Sequence, residues 1–182
     1  MTQEEFLIQH LIEDKSYPLL LQENRELSLS ILQAWWATGT EFRTKIRRAN
    51  TLYTSRKGNP AFAAFERAGK RAFFEWYQRQ PRICACCNIE EYKLEELFDT
   101  GALETKRGRG RSLELERRDT RLNLYTEDNC VLACYFCNNH KGDTISEKDH
   151  LHYFSVPTRQ YLEDKYSQFK GKRRRIKVTT DH

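Results

Sequence analysis

The chain has 182 residues, and its 31 lysines and arginines outnumber its 26 acidic residues, so its formal net charge is +5. Charged residues make up 31% of the sequence and the mean hydropathy is −0.82, so we expect no membrane-spanning run of ~20 apolar residues. Aromatic residues at 12% argue against a disordered chain, and the acidic start lacks the basic and apolar regions of a secretory signal. We therefore expect a folded, cytoplasmic protein of one ordinary domain or two small ones.

The first eighty residues carry apolar side chains at helical spacing. This periodicity predicts helices over about residues 6–17, 27–38, 41–53 and 60–80. Asn59 suits an N-cap and Pro60 suits a first helical turn, whereas Pro18 is expected to end the first helix. We expect the aromatic residues of this region to pack a core, so no chemistry is assigned to it.

The character of the sequence changes at Pro81, where cysteines and glycines begin and the apolar runs become short. Alternation predicts a strand over residues 112–116, and a second apolar run predicts another over 130–133. A helix is expected around residues 138–141, and Ser146 begins a capping-box pattern for one more. From Lys170 the chain becomes a basic tail.

Four of the six cysteines form two Cys-x-x-Cys pairs, which are Cys84 with Cys87 and Cys134 with Cys137. Each pair offers two thiolates to one tetrahedral ion at ~2.3 Å, and four thiolates leave no open position, so we predict a structural zinc. A redox-active pair would need a thioredoxin-like βαβ context, which the sequence lacks. Cys86 could replace Cys84, but the spacing favours Cys84, and Cys130 is expected to be a small buried residue.

The segment between the two cysteine pairs contains a second set of polar residues. Glu116 is expected near the turn of a hairpin, and Asn129 can fix the loop by hydrogen bonds to the backbone. Asn138 follows the last zinc ligand on a helix. A carboxylate and an amide oxygen together suit Mg²⁺ or Mn²⁺, which stabilise charge on a phosphoryl group.

Residues from about 82 to 154 resemble the HNH (His-Me finger, ββα-metal) endonuclease family, and most closely its zinc-stapled subgroup. The shared pattern is C-x-x-C, a strand ending in an acid–His or acid–Arg pair, and then N-hydrophobic-hydrophobic-x-C-x-x-C-N-x-x-K. The resemblance implies structural zinc on the four paired cysteines, catalytic Mg²⁺ or Mn²⁺ on Glu116 and Asn138, and Lys141 as the motif lysine. It implies a zinc-stapled ββα-metal domain over residues 81–156. Together with the helical periodicity of residues 1–80 and the basic C-terminal extension (157–182), we expect an α+β fold.

One position departs from the family pattern, because the strand acid is followed by Arg117 and not by the histidine that acts as general base. Arginine stays protonated in proteins and cannot take a proton from water. Three interpretations stay open: Arg117 binds the phosphate while the metal alone activates water, another residue is the base, or the domain binds without cleaving. The candidates for such a base are Tyr125, His140 and Asp119.

Basic residues concentrate on both sides of the predicted strand, which suits contact with a phosphate backbone. The expected nucleic-acid contacts are Lys106, Arg107, Arg109, Arg111, Arg118 and Lys141. The leading hypothesis is a metal-dependent endonuclease that hydrolyses DNA, with RNA as the other candidate substrate. We expect it to act in a bacterial or phage conflict system, with a partner ATPase or sensor on the helical half. The alternative is a catalytically inactive zinc module that binds nucleic acid or a partner protein.

Overall fold

The computed structural model of the protein describes residues 1–106 and 108–179. The chain divides into two compact units, Met1–Arg79 and Gln80–His182. The first is helical and the second combines helices with a two-stranded sheet, so the predicted α+β class is confirmed. Within the described ranges, no helix is both long enough and apolar enough to cross a membrane.

The first unit is built from five α-helices and one short 3-10 turn. Its elements are α1 (Gln3–Leu11), α2 (Tyr17–Glu23), α3 (Leu29–Thr38), α4 (Thr40–Thr54), the 3-10 turn (Pro60–Phe62) and α5 (Ala63–Arg79). Helix α2 differs from the sequence expectation, because Pro18 lies in its first turn and does not end the preceding helix. A proline is tolerated there since the first N–H groups of a helix have no intrahelical partner. Ser16 caps α2 by accepting from the backbone N–H of Leu19.

Aromatic side chains fill the core of the first unit, as their spacing predicts. Phe65 and Phe73 of α5 meet edge to face, with ring centroids 5.0 Å apart, and Phe62 lies 5.4 Å from Tyr53 of α4. Helix α5 is interrupted at Gly69, whose φ of 89° is accessible to glycine at little cost.

The second unit places a β-hairpin directly before a short helix. Its elements are α6 (Glu91–Asp99), β1 (Glu114–Arg117), β2 (Cys130–Ala133), α7 (Tyr135–Lys141), α8 (Glu147–Tyr153) and α9 (Ser155–Thr179). Strands β1 and β2 are antiparallel, with Glu116 opposite Val131. Ser146 caps α8 by accepting from the N–H of Asp149 at 3.1 Å. Helix α6 has no counterpart in the sequence prediction, and α9 occupies most of the segment expected to be a basic extension.

A buried carboxylate fixes the start of α6. Glu91 accepts the backbone N–H of Leu113 at 2.9 Å and pairs with Arg82 at 2.5 Å. These bonds join α6 to the residues before it and to the segment that leads into β1. Helix α6 also packs against α9, where Lys93 pairs with Glu163 at 2.8 Å. The hairpin is thereby supported from outside the sheet.

Candidate active site

The structure brings together the four cysteines of the two Cys-x-x-Cys pairs, hereafter the four-cysteine cluster. All four are buried and their sulfur atoms lie within 4.8 Å of one another, with Cys87 Sγ and Cys134 Sγ 3.8 Å apart. Bonds of ~2.3 Å around a tetrahedral zinc ion put sulfur atoms about 3.8 Å apart. The cluster therefore has the donor type and the spacing that a metal ion of this kind needs.

Backbone geometry turns the cysteines of this cluster inward. Cys84 Sγ accepts the backbone N–H groups of Cys87 at 3.5 Å and Cys134 at 3.2 Å. The turn after Cys87 closes through Asn88 at φ 58°, a conformation that asparagine tolerates better than most residues. Hydrogen bonds from the thiols of Cys134 and Cys137 hold the pKa of Cys84 well below its usual value. A thiolate is the form that binds metal.

The two remaining cysteines lie in different surroundings. Cys130 is buried in β2, as its apolar neighbours predict. The sequence analysis considered Cys86 only as a replacement for Cys84, whereas its sulfur lies within 4.8 Å of donor atoms of both Cys137 and His150. The sequence pattern gave no signal for this second group, because His150 is on α8 and its spacing from the cysteines matches no familiar motif.

One face of β1 packs against one face of α7. Glu114 and Glu116 are two residues apart and so share a face of the strand, while Asn138 and Lys141 are three apart and share a face of the helix. Lys141 Nζ donates to Glu116 Oε1 at 2.9 Å, and Asn138 Nδ2 donates to Glu114 Oε2 at 2.6 Å. The structure thus pairs Asn138 directly with Glu114, the residue that the sequence analysis missed.

The pair of Glu116 and Lys141 is enclosed by the protein. Glu116 is 8% exposed and Lys141 is 1% exposed. The Lys141 ammonium also donates to the carbonyl of Arg117 at 2.6 Å. Burial raises the pKa of Glu116, while the hydrogen bond from Lys141 acts against that rise. Lys141 therefore neutralises a buried carboxylate and does not lie on the surface, where nucleic-acid contact was expected.

Glu114 links the same site to the basic loop before β1. Arg109 donates to both of its oxygens, from Nε at 2.9 Å and from a terminal nitrogen at 2.6 Å. Because Asn138 donates to Glu114 through Nδ2, its Oδ1 is directed away from that carboxylate. The alternating pattern of residues 112–116 is the signal that could have found Glu114, since it places Glu114 and Glu116 on one face.

Arg117 is held by three groups at the end of β1. Its guanidinium donates to Asn123 and, at 3.2 Å, to Asp143, and it lies 5.0 Å from the ring centre of Tyr125. Asp143 is largely exposed, so this side of the guanidinium faces a solvent-accessible surface. The Arg117 guanidinium is thus fixed at the end of β1, and its positive charge lowers the pKa of Glu116 against the rise that burial causes.

Asn129 fixes the loop that joins β1 to β2. Its amide donates to the carbonyls of Asp119 at 3.0 Å and Leu124 at 2.8 Å, and its Oδ1 accepts the N–H of Asp119 at 2.8 Å. Three hydrogen bonds from one side chain bring both arms of the loop together. Asn129 therefore shapes the hairpin end that carries Arg117.

The candidate general bases lie in different places. His140 packs on Phe154 with ring centroids 4.3 Å apart, and its position two residues after Asn138 places it about 200° around α7 from that side chain. The Asp119 carboxylate accepts hydrogen bonds from two nitrogens of the Arg121 guanidinium, which lower the pKa of this carboxyl. Tyr125 lies against the Arg117 guanidinium.

The basic residues around β1 are mostly paired with carboxylates. Arg111 bonds Asp99 at 2.5 and 2.8 Å, and Arg118 bonds Glu147 at 2.8 Å. Lys106 is exposed, and Arg107 lies outside the described residues. A groove of about 400 Å³ runs beside the β1–β2 loop, and its charged lining residues are of both signs: Arg118, Arg121, Lys148, Asp119, Asp143, Glu147 and Asp149.

The residues of the β1–α7 face are suited to a hard divalent cation in their donor chemistry. Glu116 supplies carboxylate oxygens and Asn138 supplies an amide oxygen, which are the ligands that Mg²⁺ and Mn²⁺ prefer, and Glu114 adds a second negative charge beside them. Lys141 supplies a positive charge to the same face. A cation would therefore bind most favourably close to Glu114 and Glu116, where their two negative charges exceed the single positive charge of Lys141.

Comparison with known proteins supports the fold. No protein-family model matches the chain, and the search of curated proteins finds no match. Among solved structures, the chain is similar to the rare-cutting HNH restriction endonuclease PacI, a protein described as perturbing DNA. The two share 22% sequence identity over 64% of this chain and 78% of that chain, with a TM-score of 0.51. At this identity the likeness shows an HNH-like fold.

Proposed function

We propose that the protein is a metal-dependent endonuclease that hydrolyses phosphodiester bonds in DNA. The observation that carries this proposal is the hairpin and helix in which Glu116 of β1 and Asn138 of α7 lie on packed faces, beside the four-cysteine cluster. The HNH-like fold supports it. In this proposal the four-cysteine cluster holds structural zinc, and Glu116 and Asn138 bind Mg²⁺ or Mn²⁺.

Each polar residue of the face then has a separate task. Glu116 holds the cation through its carboxylate, and Asn138 through Oδ1. The bound ion would supply electrostatic stabilisation for the charge that builds on the phosphoryl and leaving oxygens. Lys141 lowers the pKa of the buried Glu116 carboxyl against the rise that burial causes, and Arg117 binds a phosphate oxygen with its fixed guanidinium. Arg117 stands where the family pattern has the histidine base, and it cannot serve as a base itself. The strand therefore supplies no side-chain base in this proposal.

We propose different tasks for the parts of the chain. Residues 81–156 form the nuclease, residues 1–80 bind a partner ATPase or sensor, and residues 157–182 add basic contacts to nucleic acid. We place the activity in the cytoplasm, where thiols stay reduced and available to metal, in a bacterial or phage conflict system. The setting rests on the sequence resemblance to the zinc-stapled HNH subgroup.

Metal-dependent nicking of supercoiled plasmid DNA tests the proposal. Glu116→Ala and Asn138→Ala should each lower the rate by about 10²–10³-fold, because each loses a cation ligand worth several kcal/mol of charge stabilisation. Asn139→Ala is the matched control, since Asn139 neighbours Asn138 on α7 but is exposed and bonds only the helix backbone in the described contacts. It should cleave like the wild type.

Three outcomes of this assay, extended to the Arg117→His variant, test the proposed site and the role of Arg117. Equal cleavage by the wild type, Glu116→Ala and Asn138→Ala would contradict the proposed site. Salt-sensitive DNA binding without cleavage under any divalent ion would favour the non-enzymatic module. Cleavage that appears only in Arg117→His would show that the arginine form binds but does not cleave. A parallel assay on RNA distinguishes the two polymers.

Glu114 should act as a positioning residue for Asn138. Glu114→Ala should weaken the apparent affinity for Mg²⁺ or Mn²⁺ by about 10–100-fold, since residues that orient metal ligands have effects of this size. Glu114→Gln keeps an oxygen that accepts the Asn138 amide and should retain most of the affinity. A metal titration of the cleavage rate measures the difference. Equal metal dependence in the wild type and Glu114→Ala would contradict this role.

A further inference from the structure

His150 is a buried histidine without a hydrogen-bond partner. It lies on α8 and is 0% exposed, and within the described part of the chain neither Nδ1 nor Nε2 has a partner. Its ring lies tilted against those of His140 and Phe154, at centroid distances of 5.7 and 6.0 Å. Leaving polar atoms buried and unsatisfied costs free energy, so such a group requires an explanation.

Two cysteines lie close enough to His150 to share a metal ion with it. A ring nitrogen of His150 and the sulfur atoms of Cys86 and Cys137 all lie within 4.8 Å of one another, and all three residues are buried. They come from three separate places, namely the turn between the first two zinc ligands, helix α7 and helix α8. Only folding brings these donors together.

We propose that Cys86, Cys137 and His150 bind a second Zn²⁺ ion, next to the one in the four-cysteine cluster. Imidazole nitrogen and thiolate sulfur are the usual zinc ligands, at ~2.0–2.1 and ~2.3 Å. Cys137 belongs to both groups, and its thiolate sulfur has enough lone pairs to bridge two ions. The fourth position of the second ion is open to a water molecule or another thiolate of the cluster.

Charge balance favours a second ion. Four thiolates around one divalent ion leave two negative charges inside the protein, and buried charge without compensation is costly. A second divalent ion together with the Cys86 thiolate and a neutral His150 reduces that excess to one. The same ion would satisfy one of the two unpaired nitrogens of His150.

This inference rests on the proposal that the four-cysteine cluster binds zinc, but not on nuclease activity. The second ion would join α8 directly to the first cysteine turn. The Cys86 thiol would be a ligand and not a spare residue, which explains why a third cysteine lies between Cys84 and Cys87.

Zinc content per chain tests the proposal. The full chain, purified under reducing conditions and dialysed free of loose metal, should contain two zinc ions by mass spectrometric metal analysis. Cys86→Ser and His150→Ala should each contain one. The matched controls are Cys130→Ser, a buried cysteine outside both donor groups, and His140→Ala, which removes the ring that neighbours His150. Both controls should keep two.

Each other result overturns the inference. One zinc ion in the wild type shows that the second site does not exist, and two in the wild type and in both variants place the second ion elsewhere. No zinc in the wild type contradicts the four-cysteine site as well. If the variants fail to fold, zinc X-ray absorption of the wild type decides: imidazole and a zinc neighbour support the proposal, and sulfur alone overturns it.

Discussion

Removal of zinc should unfold the second unit and leave the first unit folded. Structural zinc contributes about 10–16 kcal/mol to the folding of zinc-finger peptides, which equals or exceeds the ~5–15 kcal/mol stability of a typical domain. In the second unit, the four-cysteine cluster joins two segments that are 47 residues apart. Its only sheet in the described residues has two strands, and such a hairpin is marginal without further support.

Two probes can follow the units separately. All three tryptophans, Trp35, Trp36 and Trp76, belong to the first unit, so their fluorescence reports on that unit. Hydrogen exchange of α7 and β2 reports on the second. A strong chelator, or the Cys134→Ser substitution, should abolish protection in α7 and β2 while tryptophan emission stays near the wild-type spectrum.

Cys130→Ser is the control for this experiment, because Cys130 is equally buried but lies outside both donor groups. It should lower the free energy of unfolding by about 1–3 kcal/mol, the cost of a buried hydroxyl, and keep protection in α7. Protection that persists after zinc has been shown to be absent would contradict a structural role for the metal.

Loss of Lys141 should be the most damaging single change outside the cysteines. Lys141→Met leaves Glu116 buried without its cation, and breaking a buried pair from one side costs about 3–5 kcal/mol. The double variant Glu116→Gln/Lys141→Met removes both charges and should recover most of that loss. Urea unfolding of the wild type, Glu116→Gln, Lys141→Met and the double variant gives the coupling energy of the pair.

The matched control for the buried pair is an exposed one. Arg118 bonds Glu147 at 2.8 Å, but its side chain is 48% exposed, so Arg118→Met should cost less than about 1 kcal/mol. An equal effect of Lys141→Met and Arg118→Met would show that burial does not strengthen the inner pair.

The destabilisation of Lys141→Met should depend on pH. Burial raises the pKa of Glu116, and Lys141 opposes that rise, so without Lys141 the pKa should rise further. A carboxyl with a raised folded-state pKa is protonated in both states at low pH, and it destabilises the fold progressively as pH rises from the unfolded-state pKa to the folded-state pKa. The gap between wild type and variant should therefore be smaller at about pH 5 than at about pH 7.5.

Local patterns in the sequence predicted the elements that depend on neighbouring residues. The aromatic repeat of α5, the Ser146 cap and the spacing of each cysteine pair are all signals within a few residues. Helix α6 was missed because its start is fixed by Glu91, whose partners Arg82 and Leu113 lie elsewhere in the chain. The α9 segment was interpreted from its basic composition, although Leu162 is fully buried.

The detailed contacts of the site depend on how α7 is placed against β1, and residue spacing does not define that placement. The sequence analysis placed Asn138 beside Glu116, whereas the structure pairs Asn138 with Glu114 and gives Glu116 to Lys141. The two arrangements differ by about one helical turn in the position of α7 along β1. The position of His150 depends likewise on how α8 packs, so its proximity to Cys86 had no local signal.

The ion pairs of the basic loop have a consequence for how DNA would be admitted. Arg109 and Arg111 already hold Glu114 and Asp99 in two-point contacts. An incoming phosphate would have to compete with these carboxylates for the same guanidinium groups. The ion pairs would therefore weaken binding of the DNA backbone to the loop. Displacing Glu114 from Arg109 would also change the charge beside Asn138. In the proposed nuclease, DNA binding and the electrostatics of the proposed cation site would therefore be connected through a single glutamate.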